Sequence, residues 1–130
     1  MVKTRRHKRR SIWGVADVWT NDNNRSDAVL NEPCLVFCLV KNISIAGIGM
    51  FSATPVKVGT PVIIKRLKLF DNHVDNSIRG TIVWANCRGN SYDIGISFNE
   101  ALDHETQPEI FIALSQDRYN KVSFSGIFAR

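Results

Sequence analysis

The chain has 130 residues, is 44% apolar and 22% charged, and carries a net charge of +5. That length suits one domain with a core of its own, and the balance is that of an ordinary soluble domain. No run approaches the ~18 consecutive apolar residues of a membrane span. No apolar stretch of secretory-signal length follows the basic N-terminus, so the expectation is a cytoplasmic protein.

The charge is unevenly spread. Residues 1–10 hold Lys3, Arg5, Arg6, Lys8, Arg9 and Arg10 and no acid, which leaves −1 for residues 11–130. A short basic segment on a near-neutral body points to an anionic partner met by that segment alone. Cys34, Cys38 and Cys87 are an odd number in a chain without a signal sequence, which argues against a disulfide framework. His7, His73 and His104 are scattered, so no metal site is expected. The cysteines read as small core hydrophobes, Cys34 and Cys38 on one face of a strand.

In chain order the pattern is strand-like almost throughout. "SIWGVADVW" (11–19) is rich in Trp and Val. "NDNNRSDAVLNEP" (21–33) is a loop closed by Pro33. "CLVFCLVKNIS" (34–44) is continuously apolar and reads as a long buried strand. "GIGMFS" (47–52) is a short strand entered through glycines, and "ATPVKVGTP" (53–61) is a turn region. "VIIKRLKLF" (62–70) fits helix or strand by period, and its β-branched start with Pro and Gly before it favours strand. "SIRGTIVWANC" (77–87) alternates, with Ile78, Gly80, Ile82 and Trp84 expected on one face. "RGN" (88–90) is a hairpin loop in which Gly89 can take positive φ. "SYDIGISFN" (91–99) alternates at Tyr92, Ile94, Ile96 and Phe98. The period then changes: Thr106-x-x-Glu109 has the spacing of a capping box, Pro108 suits a first helical turn, and Ile110, Phe111 and Leu114 form one apolar stripe. These signals predict an all-β fold, a six-stranded antiparallel barrel followed by a helix near residues 107–118. The organisation expected is an arm (1–10), a barrel domain (11–119) and a tail (120–130) that keeps Val122, Phe124, Ile127 and Phe128.

No catalytic pattern stands out. Ser44 lacks a G-x-S-x-G elbow, and no Walker loop, dinucleotide fingerprint or His-rich pair occurs. Asp71 and Asp75 lie in a solvated turn. The reading is a binding module, not an enzyme, with no cofactor. Two stretches remain. In the arm, Arg5 and Arg9 are four apart, as are Arg6 and Arg10; a guanidinium fork suits phosphate oxygens and the O6/N7 edge of guanine. Taken alone, such a run also fits a solvated tail. In "NISIAGIGMF" (42–51), Asn42 and Ser44 offer side-chain hydrogen bonds, and Gly47 and Gly49 allow close approach. Taken alone, that also fits a turn between strands.

Together, Arg5-Arg6-His7-Lys8-Arg9 and Asn42-Ile43-Ser44-Ile45-Ala46-Gly47 resemble the two motifs of the PilZ domain, a bacterial receptor for cyclic di-GMP. "GTIVWA…YDIGISF" (80–98) is similar to the closing hairpin of that domain, and the resemblance covers nearly all of residues 5 to 118. It implies a six-stranded barrel with a C-terminal helix, and a flexible N-terminal arginine arm that holds the ligand, often as a stacked dimer, against the barrel surface. By this resemblance Arg5 and Arg9, assisted by Arg6 or Arg10, would bind phosphates and guanine edges. Asn42 and Ser44 would hydrogen-bond a guanine, Gly47 would leave room for its ring, and Trp84 would lie near the ligand. Asn42 stands where the family more often has Asp. The output would be arm closure read by an unidentified protein effector. The competing reading is a nucleic-acid-binding barrel, but it leaves Asn42, Ser44 and Gly47 without a role and lacks an extended basic track.

Overall fold

The computed structural model describes residues 10–20 and 34–115. Seven strands occur among them: β1 (Arg10–Thr20), β2 (Cys34–Ile43), β3 (Gly47–Ser52), β4 (Pro61–Leu69), β5 (Asn72–His73), β6 (Ile78–Arg88) and β7 (Ser91–Phe98). Six of them close an antiparallel ring in the order β1-β2-β3-β7-β6-β4, with β4 pairing back to β1. β5 is a two-residue pairing on the end of β4. The fold is therefore the six-stranded barrel with one helix that the sequence predicts. Closure satisfies the ring strands' backbone groups on both sides and removes exposed edges.

The interior is filled by period-2 side chains. Ala16 and Val18 of β1, Ile48 and Met50 of β3, and Ile94 and Ile96 of β7 are all buried. β2 corrects an expectation: its apolar run is not buried on both sides. Val36, Cys38 and Val40 face inward, whereas Leu35, Phe37 and Leu39 face out, Phe37 being 58% exposed. In a small closed barrel only one face of each strand meets the core, so a continuous apolar run cannot be wholly buried.

β4 is a strand, and its helix-like period has a local cause. Val15 pairs with Lys68 and Asp17 with Lys65, so β4 spends one extra residue between them. Arg66 takes φ of 52° at this bulge, and Leu67 thereby joins Ile64 on the buried side. Gly89 has φ of 61° in the tight β6–β7 hairpin. Gly59, at φ of 93°, closes the approach to β4.

The helix, α1, begins at residue 108 and is described through 115. Pro108 occupies its first position, where a missing N–H is harmless. The Thr106–Glu109 capping box does not form. Instead the Asp103 N–H donates to Gln107 Oε1 at 2.9 Å and the Gln107 N–H donates back to the Asp103 carbonyl at 2.8 Å. The Thr106 hydroxyl is turned toward Asp103, 3.4 Å from Oδ2. Ile110 and Ala113 are fully buried, with Phe111 and Leu114 packed beside them against the core.

Candidate functional site

Of the expected site residues that are described, Arg10 opens β1, Asn42 lies on β2, Gly47 on β3 and Trp84 on β6, with Ser44 between β2 and β3. Pairing brings Ser11, Asn42, Gly49, Gly95 and Trp84 into one row across five strands. Its two walls are set by bulges. On β2, Val40 pairs with Met50 and Asn42 with Gly49, so Lys41 is an extra residue and both Lys41 and Asn42 serve the outer face. On β6, Ile82 pairs with Ile96 and Trp84 with Gly95, so Val83 is extra. This bulge overturns the expectation that Trp84 shares a face with Ile78, Gly80 and Ile82: those three point inward, and Trp84 is turned outward. Bulges recur where a side chain must be re-aimed in this way.

Between the walls the floor is bare backbone. Gly49 and Gly95 pair directly. The Asn42 amide lies over Gly49, and the Trp84 indole lies over Gly95. Asn42 Oδ1 is buried and has no donor among the described residues. A buried acceptor without a partner is costly, and such atoms mark strained or ligand-directed positions.

Ser44, in the turn from β2 to β3, and Gly47, the first residue of β3, lie beside the row, two residues along the chain from Asn42 and Gly49 respectively. The Ser44 N–H donates to the Gly47 carbonyl at 2.8 Å, and Ser44 Oγ accepts from the Ala46 N–H at 3.2 Å. The hydroxyl thus holds the turn as an acceptor and keeps its own proton to donate. Gly47 has its negative-φ backbone close against β7: a Cβ there would stand 2.6 Å from the Ile96 carbonyl oxygen. The turn is docked by Phe98 and Leu102, whose N–H groups donate to the carbonyls of Ala46 and Ile45, each at 2.8 Å.

Sequence reasoning missed a charged cluster beside the row. Lys41 Nζ donates to both carboxylate oxygens of Asp93, at 2.6 and 2.7 Å. Arg88 Nε lies 3.6 Å from Asp93 Oδ2. The Asp93 side chain is 5% exposed and that of Lys41 29%. The same ammonium stands 5.1 Å from the Phe51 ring centroid and 5.6 Å from that of Trp84. Two cations on one buried carboxylate leave an excess positive charge beside the indole. The available signal was a lysine and an aspartate, each interrupting an apolar strand.

Arg5, Arg6 and Arg9 lie outside the described residues. Arg10 opens β1 and pairs with Ile43, next to the Ser11–Asn42 pair. Two concave clefts, of about 430 and 560 Å³, lie on another flank and share Arg79 and Asn99. The glycine row is a face, so a ligand seated on it needs cover from a second element. No group of three or more metal-ligating side chains occurs among the described residues. No helix among them is long and apolar enough to cross a membrane.

A closed six-stranded barrel with a glycine-floored outer face and a C-terminal helix defines the class of protein. The PilZ domain pattern matches residues 3–113, and the chain belongs to that family. No curated protein matches the chain significantly. Among solved structures it is similar to YcgR of Escherichia coli in complex with c-di-GMP, at 14% identity and a TM-score of 0.60, covering 97% of this chain and 51% of that one. It is also similar to the Bacillus subtilis inhibitor of motility MotI/DgrA, at 14% identity and a TM-score of 0.58, covering 91% and 53%. The PilZ domain of YcgR with c-di-GMP matches at 15% identity and a TM-score of 0.52, covering 93% and 98%. The chain thus spans about half the length of the first two proteins and nearly all of the isolated domain.

Proposed function

We propose that the chain is a cytoplasmic receptor for cyclic di-GMP and not an enzyme, using no cofactor. Its ligand is held between the arginine segment and the Asn42–Trp84 face, and the liganded surface is read by a protein effector. Family membership supports the ligand, as do the two YcgR structures that contain c-di-GMP. The observation that carries the site is the pairing of Arg10 and Ser11 with Ile43 and Asn42. The chain bearing Arg5, Arg6 and Arg9 enters the barrel beside the row. Arg9 is one residue from β1, and Arg5 is within about 18 Å of it by chain connectivity.

The chemistry divides accordingly. Arg5 and Arg9, with Arg6 or Arg10 assisting, supply charge-assisted hydrogen bonds to the two phosphates and the guanine O6/N7 edges. Asn42 and the Ser44 hydroxyl address a guanine, and Asn42 can both donate and accept, unlike Asp. Gly47 holds the turn that presents them, and Trp84 supplies a flat apolar surface for a base. A second nucleotide stacked on the first extends the same arrangement. Ordering the arm costs part of the binding energy and changes the surface an effector meets, which is the signal.

Isothermal titration of the full chain with cyclic di-GMP tests this. Saturable binding is expected, abolished by Arg9→Ala with thermal unfolding unchanged. No binding at tens of micromolar ligand sinks the reading. Length-dependent binding to polyuridylate with a steep salt slope, in its place, points to a nucleic-acid module.

A further inference from the structure

The buried glycines of the barrel divide into two kinds by what a side chain would strike. At Gly14, Gly47 and Gly80 the nearest atom is a carbonyl oxygen of a neighbouring strand: those of Lys68, Ile96 and Ser97. These positions are bare because backbones approach closely. At Gly49 and Gly95 the obstacle is a side chain. A Cβ on Gly49 would stand 2.7 Å from Asn42 Oδ1, and its three nearest atoms all belong to that amide. A Cβ on Gly95 would overlap Cε2 and Nε1 of Trp84, and its three nearest atoms all belong to the indole. The two glycines are direct partners in the β3–β7 ladder, and the side chains they seat flank them on β2 and β6.

From this we infer that Gly49 and Gly95 are positioning residues. They are left empty so that Asn42 and Trp84 can lie down on the barrel face as a preformed seat for a purine base. The inference rests on the cyclic di-GMP reading for the identity of the base, and on the geometry alone for the positioning. An indole standing upright from a strand is free to change rotamer. Here it is held from beneath by the backbone at 95, while Lys41, fixed by two hydrogen bonds to Asp93, presents its ammonium to the ring. A flat surface fixed before the ligand arrives spares the cost of ordering it on binding. Any side chain at 95 must lift the indole, so Gly95 acts on the ligand through Trp84 without touching it.

A double-mutant cycle tests the inference. Gly95→Ala should weaken cyclic di-GMP binding about tenfold, the scale of one lost base–aromatic stack. Trp84→Ala should weaken it similarly. The double variant should bind no worse and unfold no earlier than Trp84→Ala alone, because the space at 95 is then open. Additive losses overturn the inference, as does a double variant that fails to fold where Trp84→Ala folds, since the glycine would then serve the backbone. Protein labelled with 5-fluorotryptophan gives a readout that needs no ligand. In its ¹⁹F spectrum Gly95→Ala should move the Trp84 resonance, assigned by its loss in Trp84→Phe, and leave those of Trp13 and Trp19 in place. An unmoved Trp84 resonance overturns the inference. A wild-type protein that binds no cyclic di-GMP defeats the receptor reading, and the fluorine spectrum still decides the positioning.

Discussion

The Lys41–Asp93 pair is the costliest single commitment at the scale of the residue. A carboxylate this buried is tolerated because two hydrogen bonds from one ammonium and a nearby guanidinium offset its desolvation. Replacing Lys41 by Met removes the close partner and leaves Arg88 at 3.6 Å. Lys41→Met should therefore lower unfolding stability by about 2 kcal/mol in urea titration, well beyond an exposed pair. Cys38 makes a second prediction. Burial pushes its thiol from 9.0 up to about 12, against a smaller opposing effect of a hydrogen bond with Ser52. The unfolded chain releases this proton first, so the contribution of Cys38 to stability is intact below pH 9. It falls as pH rises from about 9 to 12, by roughly 1.4 kcal/mol per pH unit. A Cys38→Ala variant should show a shallower alkaline loss than wild type in denaturant titrations across that range. Iodoacetamide followed by peptide mass mapping should modify exposed Cys87 rapidly in native protein and Cys38 only on unfolding.

Bulges explain both the site and the limits of pattern reading at the scale of the element. Period-2 reasoning places strands and their inward residues as long as pairing is regular. It finds Ile94, Ile96 and Phe98 on β7 at once. It fails where one strand carries an extra residue, because every later side chain then changes face. Trp84 is assigned to the wrong face by one such step at Val83, and β4 looks half-helical because of another at Arg66. The helix shows a different limit. Its apolar stripe is legible, but its start is decided by the Asp103–Gln107 exchange and not by the Thr106–Glu109 spacing. Ile110 is the residue that anchors it, fully buried against the barrel. Ile110→Ala should cost about 3 kcal/mol in chemical unfolding, as for other buried aliphatic truncations. A loss under 1 kcal/mol would mean that the helix is not docked.

Ring closure organises everything else at the scale of the whole molecule. Because β4 returns to β1, the strand that follows the arginine segment is held on both sides, between β2 and β4. Its first residues lie ahead of the β4 pairing, which begins at Gly14, and β2 alone fixes them, Arg10 beside Ile43 and Ser11 beside Asn42. Deleting residues 1–9 leaves all seven strands in place and should change the melting temperature by no more than a few degrees. It should abolish cyclic di-GMP binding, as read by titration calorimetry. A large loss of stability would assign those residues to the barrel itself.

The sequence by itself determined the strand content, the inward residues of the regular strands, the terminal helix and the presence of two polar motifs in an otherwise apolar pattern. These are local properties, set by side-chain period and turn chemistry within a few residues. Only the tertiary structure decided that Asn42 and Trp84 share one row, that Gly49 and Gly95 lie bare between them, and that Lys41 reaches Asp93 across β3. Those facts depend on register between strands up to 52 positions apart. Register is set by bulges and by closure of the ring, and neither leaves a period that one stretch of chain can display.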